Sequence, residues 1–424
     1  MSTTSIQEPS IRSRAKAAAP AAARPSLVRV LHVINGEDYA GAERVQDHLA
    51  LRLPEQGFEV GFACLKPRRF AEMRCAVDAP LYELPMRSKL DASPIRRLAR
   101  LLRDEGYALV HTHTPRTALV GGLAARLARL PLIHHVHCQT AVEVGSRRWQ
   151  DKANLVLERW TTHRARNIIA VSPSLYRYLL RHGYSRQKLR LVPNGVPSNR
   201  SRHKAVVPAL VAGLMDDGAK AVAAQGHGLP EYPAQGRGLP KAWTIGVLAL
   251  FRPRKGLEVL LDALALVRER GHDVRLRAVG RFQSPSYERE IQRRAAWLGL
   301  EAAIRWVGFR QHIEAELARM DMLALPSLVS EAMPMSILEA MAAGVLVIGS
   351  RVDGITDLVR DGVDGLLADP GDADDWASVL ERVVTGDIDR RPLVRCALEK
   401  QRELFSDRSM AAAVAEIYRQ VLGQ

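Results

Sequence analysis

From residue 27 onward, short β-branched runs alternate with longer stretches in which apolar residues recur every three or four positions. Residues 28–34 read Val-Arg-Val-Leu-His-Val-Ile, a buried strand, while 42–53 carries helical spacing and 59–65 returns to a strand. The same pattern predicts helices over 94–105, 116–129, 150–163 and 173–181, interleaved with strands over 108–111, 132–136, 167–171 and 189–192. It breaks after Asn194-Gly195. It then resumes with strands over 244–250, 274–279, 304–307, 322–325 and 345–348 and helices over 257–270, 286–298, 313–318, 334–343, 355–360, 374–385 and 410–422. Strands alternating with helices imply parallel sheets with right-handed crossovers. The fold class is therefore α/β, with two doubly wound domains facing a cleft.

The break itself, 198–241, repeats the phrase Gln-Gly-His-Gly-Leu-Pro at 225–230 as Gln-Gly-Arg-Gly-Leu-Pro at 235–240. Gly and Pro at that density hold neither a helix nor an interior strand, so the segment reads as a linker or insertion. Residues 1–26, rich in Ala, Ser, Pro and Arg, read as a flexible arm without the apolar stretch of a secretory signal. The expected division is thus 1–26 arm, 27–197 first domain, 198–241 linker, 242–404 second domain and 405–424 terminal helix.

Composition narrows the function classes. The chain has 424 residues, 47% apolar and 25% charged, which suits a globular protein of more than one domain. Its formal charge of +15 is concentrated: residues 1–241 hold 37 Lys and Arg against 19 Asp and Glu, the remainder 24 against 27. The basic half suggests an anionic partner or solvated arginine faces. Aromatics are only 5%, and no helix-turn-helix, zinc-finger or interleaved RNA-binding pattern is present, so nucleic acid is not the expected partner. Cys64, Cys75, Cys138 and Cys396 lack zinc or disulfide spacing, which fits a reducing cytoplasm. No run is long enough to span a bilayer, so membrane contact would be peripheral. Arg96, Arg97, Arg100 and Arg103 share a helix pattern with Ile95, Leu98, Leu101 and Leu102, which either packs on its sheet or docks on an anionic membrane.

Four phrases carry candidate chemistry. Ser330 to Gly344 places Glu331 before a helix opened by Pro334 and Glu339 on its second turn, with Gly344 as the stop. A carboxylate accepts hydrogen bonds from a pair of sugar hydroxyls, and free N–H groups at the helix start, beside Met333 and Pro334, favour a phosphate. Arg252, Arg254 and Lys255 precede Gly256 at a second strand-to-helix turn, where cations stabilise charge on a departing phosphate. Tyr39 to Arg44 contains Gly41 in a turn where backbone can approach a ligand closely. Histidines crowd at His111, His113, His134, His135 and His137, where parallel neighbours bring His113 and His137 to one sheet edge. Without an acidic partner at ligand spacing, they read as polar lining of the cleft, with His135 packed, rather than as a metal site. The absence of a Walker loop, a nucleophile elbow and HExxH excludes P-loop phosphoryl transfer and acyl or zinc hydrolysis of those types.

Taken together and in this order, the phrases resemble the retaining family-four glycosyltransferases, whose GT-B fold consists of two Rossmann-like domains. Ala40-Gly41-Ala42-Glu43 is similar to the family's glycine-rich loop, Val171-Ser172 and Pro193-Asn194-Gly195-Val196 to its domain-closing phrases, Lys255-Gly256 to its phosphate lysine, and Glu331 with Glu339 to its Glu-x(7)-Glu pair. Phe405-Ser406 leads into a last helix that in the family crosses back to the first domain.

The resemblance implies a nucleotide diphosphate sugar as donor substrate, no further cofactor and no metal. Lys255 and a neighbouring arginine would hold the diphosphate, Glu339 the ribose, and Glu331 and His137 the donor sugar, with Gly41 over the phosphates. The implied acceptor is a glycan or lipid-linked molecule in cell-surface polysaccharide or glycolipid synthesis. Leu250 stands where the family has an arginine, leaving Arg252 or Arg254 to take its place. Ala40 and Ala332 replace family glycines. A nucleotide-sugar epimerase or a binding protein without turnover on the same fold are the alternative readings.

Overall fold

The computed structural model describes residues 27–88, 91–139, 162–198 and 242–424. The arm 1–26, most of the predicted helix 150–163 and the linker at 199–241 lie outside the described residues.

The first half opens with β1 (Val28–Ile34), α1 (Gly41–Arg52), β2 (Phe58–Cys64), α2 (Arg69–Met73), β3 (Leu81–Glu83), α3 (Ser93–Asp104), β4 (Leu109–Thr112) and α4 (Pro115–Ala128). It continues with β5 (Leu132–Val136), β6 (Asn167–Ala170), α5 (Pro173–Arg181) and β7 (Leu189–Leu191). The second half runs β8 (Trp243–Phe251), α6 (Leu257–Glu269), β9 (Val274–Phe282), α7 (Pro285–Trp297), β10 (Ile304–Gly308), α8 (Glu314–Leu317) and β11 (Met322–Leu325). Then follow α9 (Met335–Ala343), β12 (Leu346–Ser350), β13 (Leu366–Ala368), α10 (Ala373–Val384), α11 (Arg390–Leu404) and α12 (Asp407–Leu422).

The strands form a seven-stranded sheet, β3-β2-β1-β4-β5-β6-β7, and a six-stranded sheet, β10-β9-β8-β11-β12-β13. All the pairs are parallel, with β1 in register against β2 from Val28 opposite Phe58 to Ile34 opposite Cys64. In each sheet the order reverses beside the first strand, between β1 and β4 and between β8 and β11. Such switch points open crevices at the carboxyl ends of strands.

Local sequence explains several helix starts. Thr114-Pro115, Ser172-Pro173 and Ser284-Pro285 pair a hydroxyl cap with a proline that needs no N–H donor. The cap oxygens accept from the N–H groups of Thr117, Leu175 and Tyr287. α3 buries Leu98, Ala99 and Leu102 and leaves Arg96, Arg97, Arg100 and Arg103 exposed, so its apolar face is already taken by the protein interior.

Two of the differences from the sequence reading have identifiable causes. Residues 355–358 form turns and 359–360 belong to no regular element, in place of the expected helix over 355–360. The preceding Gly354 sits at φ +83°, and a Cβ there would meet the Glu331 carbonyl oxygen at 1.9 Å, so the chain enters the segment in a left-handed conformation. α11 was not expected, because its apolar contribution is confined to residues such as Leu393, Ala397 and Leu398 within a highly charged segment.

The two halves are joined at Gly195. A Cβ there would lie 2.2 Å from the Ser406 carbonyl oxygen, so the crossing requires glycine. Val196 N–H donates to Phe405 O at 3.0 Å and Asp407 N–H donates to Val196 O at 3.0 Å. α12 then lies on the first half, with Asp407 paired to Arg52 at 2.6 Å and Tyr418 fully buried against Phe58.

Candidate functional site

The site grows from the switch point of the second sheet. After β8, residues 253–255 make one tight helical turn and Gly256 takes φ +64° to enter α6. A Cβ on Gly256 would come within 2.0 Å of the Pro326 carbonyl oxygen, so the turn lies directly against the loop after β11. Leu328 N–H donates to Arg254 O at 2.9 Å and ties the two loops together.

Glu331 is the hub of this junction. Lys255 Nζ and Ser327 Oγ both donate to its Oε1, at 2.7 and 2.8 Å, and Arg254 Nη2 stands 3.4 Å from Oε2. Burial opposes charge on this carboxyl, but Lys255 and Arg254 outweigh it and hold it below the ordinary carboxylate range. Two cations thus share one buried carboxylate, leaving positive charge beside two converging loops.

α9 begins one residue later than the sequence pattern implied: Pro334 stands at the cap and Met335 opens the helix. Gly344 closes it at φ 71°. The preceding loop docks on the first half, where Asn194 N–H donates to Met333 Sδ at 3.0 Å. A Cβ on Gly41, the first residue of α1, would lie 3.5 Å from Met335 Cγ. The starts of α1 and α9 therefore face each other, and both present unpaired backbone N–H groups that favour an anion.

Glu339, one turn into α9, is buried and forms an ion pair with Arg44 of α1. The guanidinium approaches Glu339 Oε1 without hydrogen-bond alignment. Burial pushes the Glu339 carboxyl up to about 7 against the pull of Arg44. Arg281 and Asp38 form a second ion pair between the halves.

At the switch point of the first sheet, imidazoles from β1, β4 and the end of β5 form a hydrogen-bonded chain. His137 Nε2 meets His113 Nδ1 at 3.1 Å, His113 Nε2 meets His32 Nδ1 at 3.2 Å, and His32 Nε2 meets Tyr418 Oη at 2.9 Å. Tyr418 Oη also meets His111 Nδ1 at 2.7 Å. His135 stacks beside His137 at 4.3 Å with neither ring nitrogen hydrogen-bonded. Burial lowers His32 and His137 to about 3 and His134 to about 4, and holds His111, His113 and His135 well below the ordinary value. The rings are therefore neutral near pH 7. The nitrogens of His32, His111 and His113, and those of His113, His135 and His137, lie within 4.8 Å of one another, close enough to surround an ion.

The structure brings Arg254, Lys255 and Glu331 into direct contact, with Arg252 in the same turn. Met333 and Pro334 stand at the start of α9, Gly41 lies against it, and Glu339 meets the first half through Arg44. His137 belongs to the histidine chain. Sequence reasoning had not selected Arg44, Ser327, His32 or Tyr418. Arg44 was visible three residues after Gly41, and His32 as the polar interruption of an apolar strand. The partnership of Tyr418 with His32 spans 386 positions and leaves no local signal.

The Glycosyltransferase Family 4 sequence model matches residues 39–200, and the Glycosyl transferases group 1 model matches 241–386. D-inositol 3-phosphate glycosyltransferase from Nocardioides sp. is 28% identical over 327 residues, covering 74% of this chain and 67% of that protein. Phosphatidyl-myo-inositol mannosyltransferase from Mycobacterium leprae is 27% identical over 339 residues, 79% of each chain. Anabaena HepE, solved in complex with UDP and glucose, superposes with a TM-score of 0.75 at 20% identity, covering 93% of this chain and all of that one. The two models span the whole second sheet and the first sheet from β2 onward, and the two-sheet architecture is that of GT-B proteins: the chain belongs to the family-four glycosyltransferases.

Proposed function

We propose that this glycosyltransferase takes its sugar from a nucleotide diphosphate sugar and transfers it, with retention of anomeric configuration, to a glycan or lipid-linked acceptor. The observation that carries the donor class is the junction of Lys255, Arg254 and the facing starts of α1 and α9, which concentrates donors and positive charge where a diphosphate would sit. A fold neighbour solved with UDP and glucose supports the donor class, and a relative named as a phosphatidyl-myo-inositol mannosyltransferase supports a lipid-linked acceptor.

In the proposed reaction the bond from the anomeric carbon to the phosphate oxygen breaks as the acceptor oxygen bonds to the same face. The acceptor proton passes to the leaving phosphate. Lys255 and the arginines offset the charge that grows on that phosphate, so the step depends on positioning and electrostatics more than on a protein base. Glu339 accepts from the ribose hydroxyls, and Glu331 and His137 border the donor sugar. The chain's own residues supply this chemistry without a further cofactor.

The test is incubation with individual nucleotide sugars and candidate acceptors, following release of nucleoside diphosphate and the anomeric configuration of the product by NMR. Acceptor-dependent release with a retained anomer supports the proposal; an inverted anomer removes the retaining mechanism, and donor turnover without acceptor removes transfer. Among the described residues no helix is long and apolar enough to cross a membrane. A lipid-linked acceptor would be met peripherally through the exposed arginines of α3, by charge alone, since its apolar face is buried. Unchanged binding to anionic vesicles after neutralising Arg96, Arg97, Arg100 and Arg103 would remove that membrane contact.

A further inference from the structure

Glu339 is paired across the cleft with a cation that a ribose would have to displace. Arg44 lies on the first turn of α1, four residues from the capping Ala40, and its side chain reaches past the start of α9 to a carboxylate one turn inside that helix. The contact lacks hydrogen-bond alignment, and the Glu339 side chain is buried. Ribose hydroxyls can take the place of the guanidinium at the carboxylate, because in this placement it gives Glu339 Oε1 no aligned N–H.

The displaced guanidinium has a destination. The start of α9 is four residues, about 6 Å, from Glu339 along the helix axis, within the sweep of an arginine side chain. There the N–H groups of α1 and α9 converge, because Gly41 lies against Met335. The two cations contacting Glu331, Lys255 and Arg254, are already partly neutralised by it. Position 250, at the end of the adjacent strand, is an apolar leucine. A diphosphate at this place has room for a bidentate cation, the geometry a guanidinium supplies.

We propose that Arg44 is a specificity-determining residue that couples the two parts of a nucleotide: ribose takes Glu339, and the released Arg44 takes the diphosphate. A nucleoside alone breaks the Arg44–Glu339 pair and gives the cation nothing in return. A nucleoside diphosphate breaks it and replaces it with a charge-assisted contact. Arg44 thereby selects against nucleosides and for their diphosphates from a single position. The inference rests on the nucleotide-sugar reading above.

The experiment is isothermal titration of the wild-type protein with UDP, ADP, GDP and CDP, followed by titration of wild type and Arg44→Gln with the diphosphate that binds and with its nucleoside. Arg44→Gln is expected to weaken the diphosphate about tenfold or more, in line with loss of a charge-assisted hydrogen bond. The nucleoside should bind the variant at least as tightly as it binds wild type. Arg44→Lys, which keeps the charge without the fork, should recover only part of the diphosphate affinity. Equal weakening of nucleoside and diphosphate, or unchanged diphosphate affinity, overturns the role of Arg44 while leaving the donor class standing. Failure of wild type to bind any of the four overturns the nucleotide reading and the coupling with it. A far-ultraviolet circular dichroism spectrum matching wild type assigns the binding changes to the site rather than to the fold.

Discussion

Acidification probes the buried histidines directly. His32, His48 and His134 are at most 8% exposed, and burial lowers them to about 3, 4 and 4. In the unfolded chain each titrates near 6.5, so below that pH the unfolded state binds more protons and stability falls with pH. The stability from neutral burial is fully present above about 6.5 and is lost as pH falls toward the folded values. At pH 5 each group has lost roughly 2 kcal/mol relative to pH 8, about 6 kcal/mol for the three. Glu339 acts in the opposite sense. Its folded value of about 7 exceeds the unfolded 4.5, so acidification protonates it first in the native state and returns about 3 kcal/mol by pH 5. The net loss is about 3 kcal/mol, a large part of the stability of an ordinary domain. His111, His113 and His135 push the same way. Urea unfolding followed by tryptophan fluorescence between pH 8 and 5 reads this as a falling midpoint at constant slope. At pH 5.5 unfolding should take up at least about two protons. A midpoint that stays level or rises over this range would refute the placement of these rings as buried neutral groups.

The other expectations are more local. Lys255→Met should reduce transfer by at least a hundredfold, and it should lower the melting temperature as well, because removing one partner of a buried pair costs about 3–5 kcal/mol; wild-type transfer in this variant would remove Lys255 from the site. Gly256→Ala should destabilise by more than about 1 kcal/mol, since its left-handed backbone and the 2.0 Å approach to Pro326 O admit no Cβ, and an unchanged urea midpoint would contradict that geometry. Neutral imidazoles can satisfy the two ring-to-ring hydrogen bonds His32–His113–His137 only if these three share one tautomer, whereas the Tyr418 oxygen can accept from His32 and His111 at once and so leaves His111 free to differ. Nitrogen-15 NMR of labelled histidines should find His32, His113 and His137 all protonated at Nδ1 or all at Nε2, and a mixture among these three would break the chain.

Most strands and helices were legible because their signals are local: β1, β5, α5 and β11 coincide with the sequence reading, whereas β3, β13 and α2, only three to five residues long, are too short to carry a period. α11 escaped because charged residues dominate its composition, and 355–360 misled because the left-handed Gly354 is set by the distant Glu331 backbone. The site divides in the same way. The cations of 252–255 and the two glutamates announce themselves by type and spacing, and the facing of His113 and His137 follows from parallel pairing. Arg44 and Tyr418 act across the cleft and across 386 positions of chain, where only the fold can show the partner. Arg44 bears on the vacant arginine position at Leu250, since it supplies a guanidinium from the opposite half of the protein.

The central claim is that the junction of Lys255, Glu331 and the start of α9 holds a nucleotide diphosphate sugar. Thermal unfolding of wild type and Lys255→Met with each of a set of nucleotide sugars tests it most directly. A ligand at one hundred times its dissociation constant adds about 2.7 kcal/mol to the folded state, several degrees in melting temperature. The account predicts that at least one nucleotide sugar raises the melting temperature of wild type and that Lys255→Met loses most of that rise. No rise in wild type at millimolar donor, or an equal rise in both proteins, would contradict it.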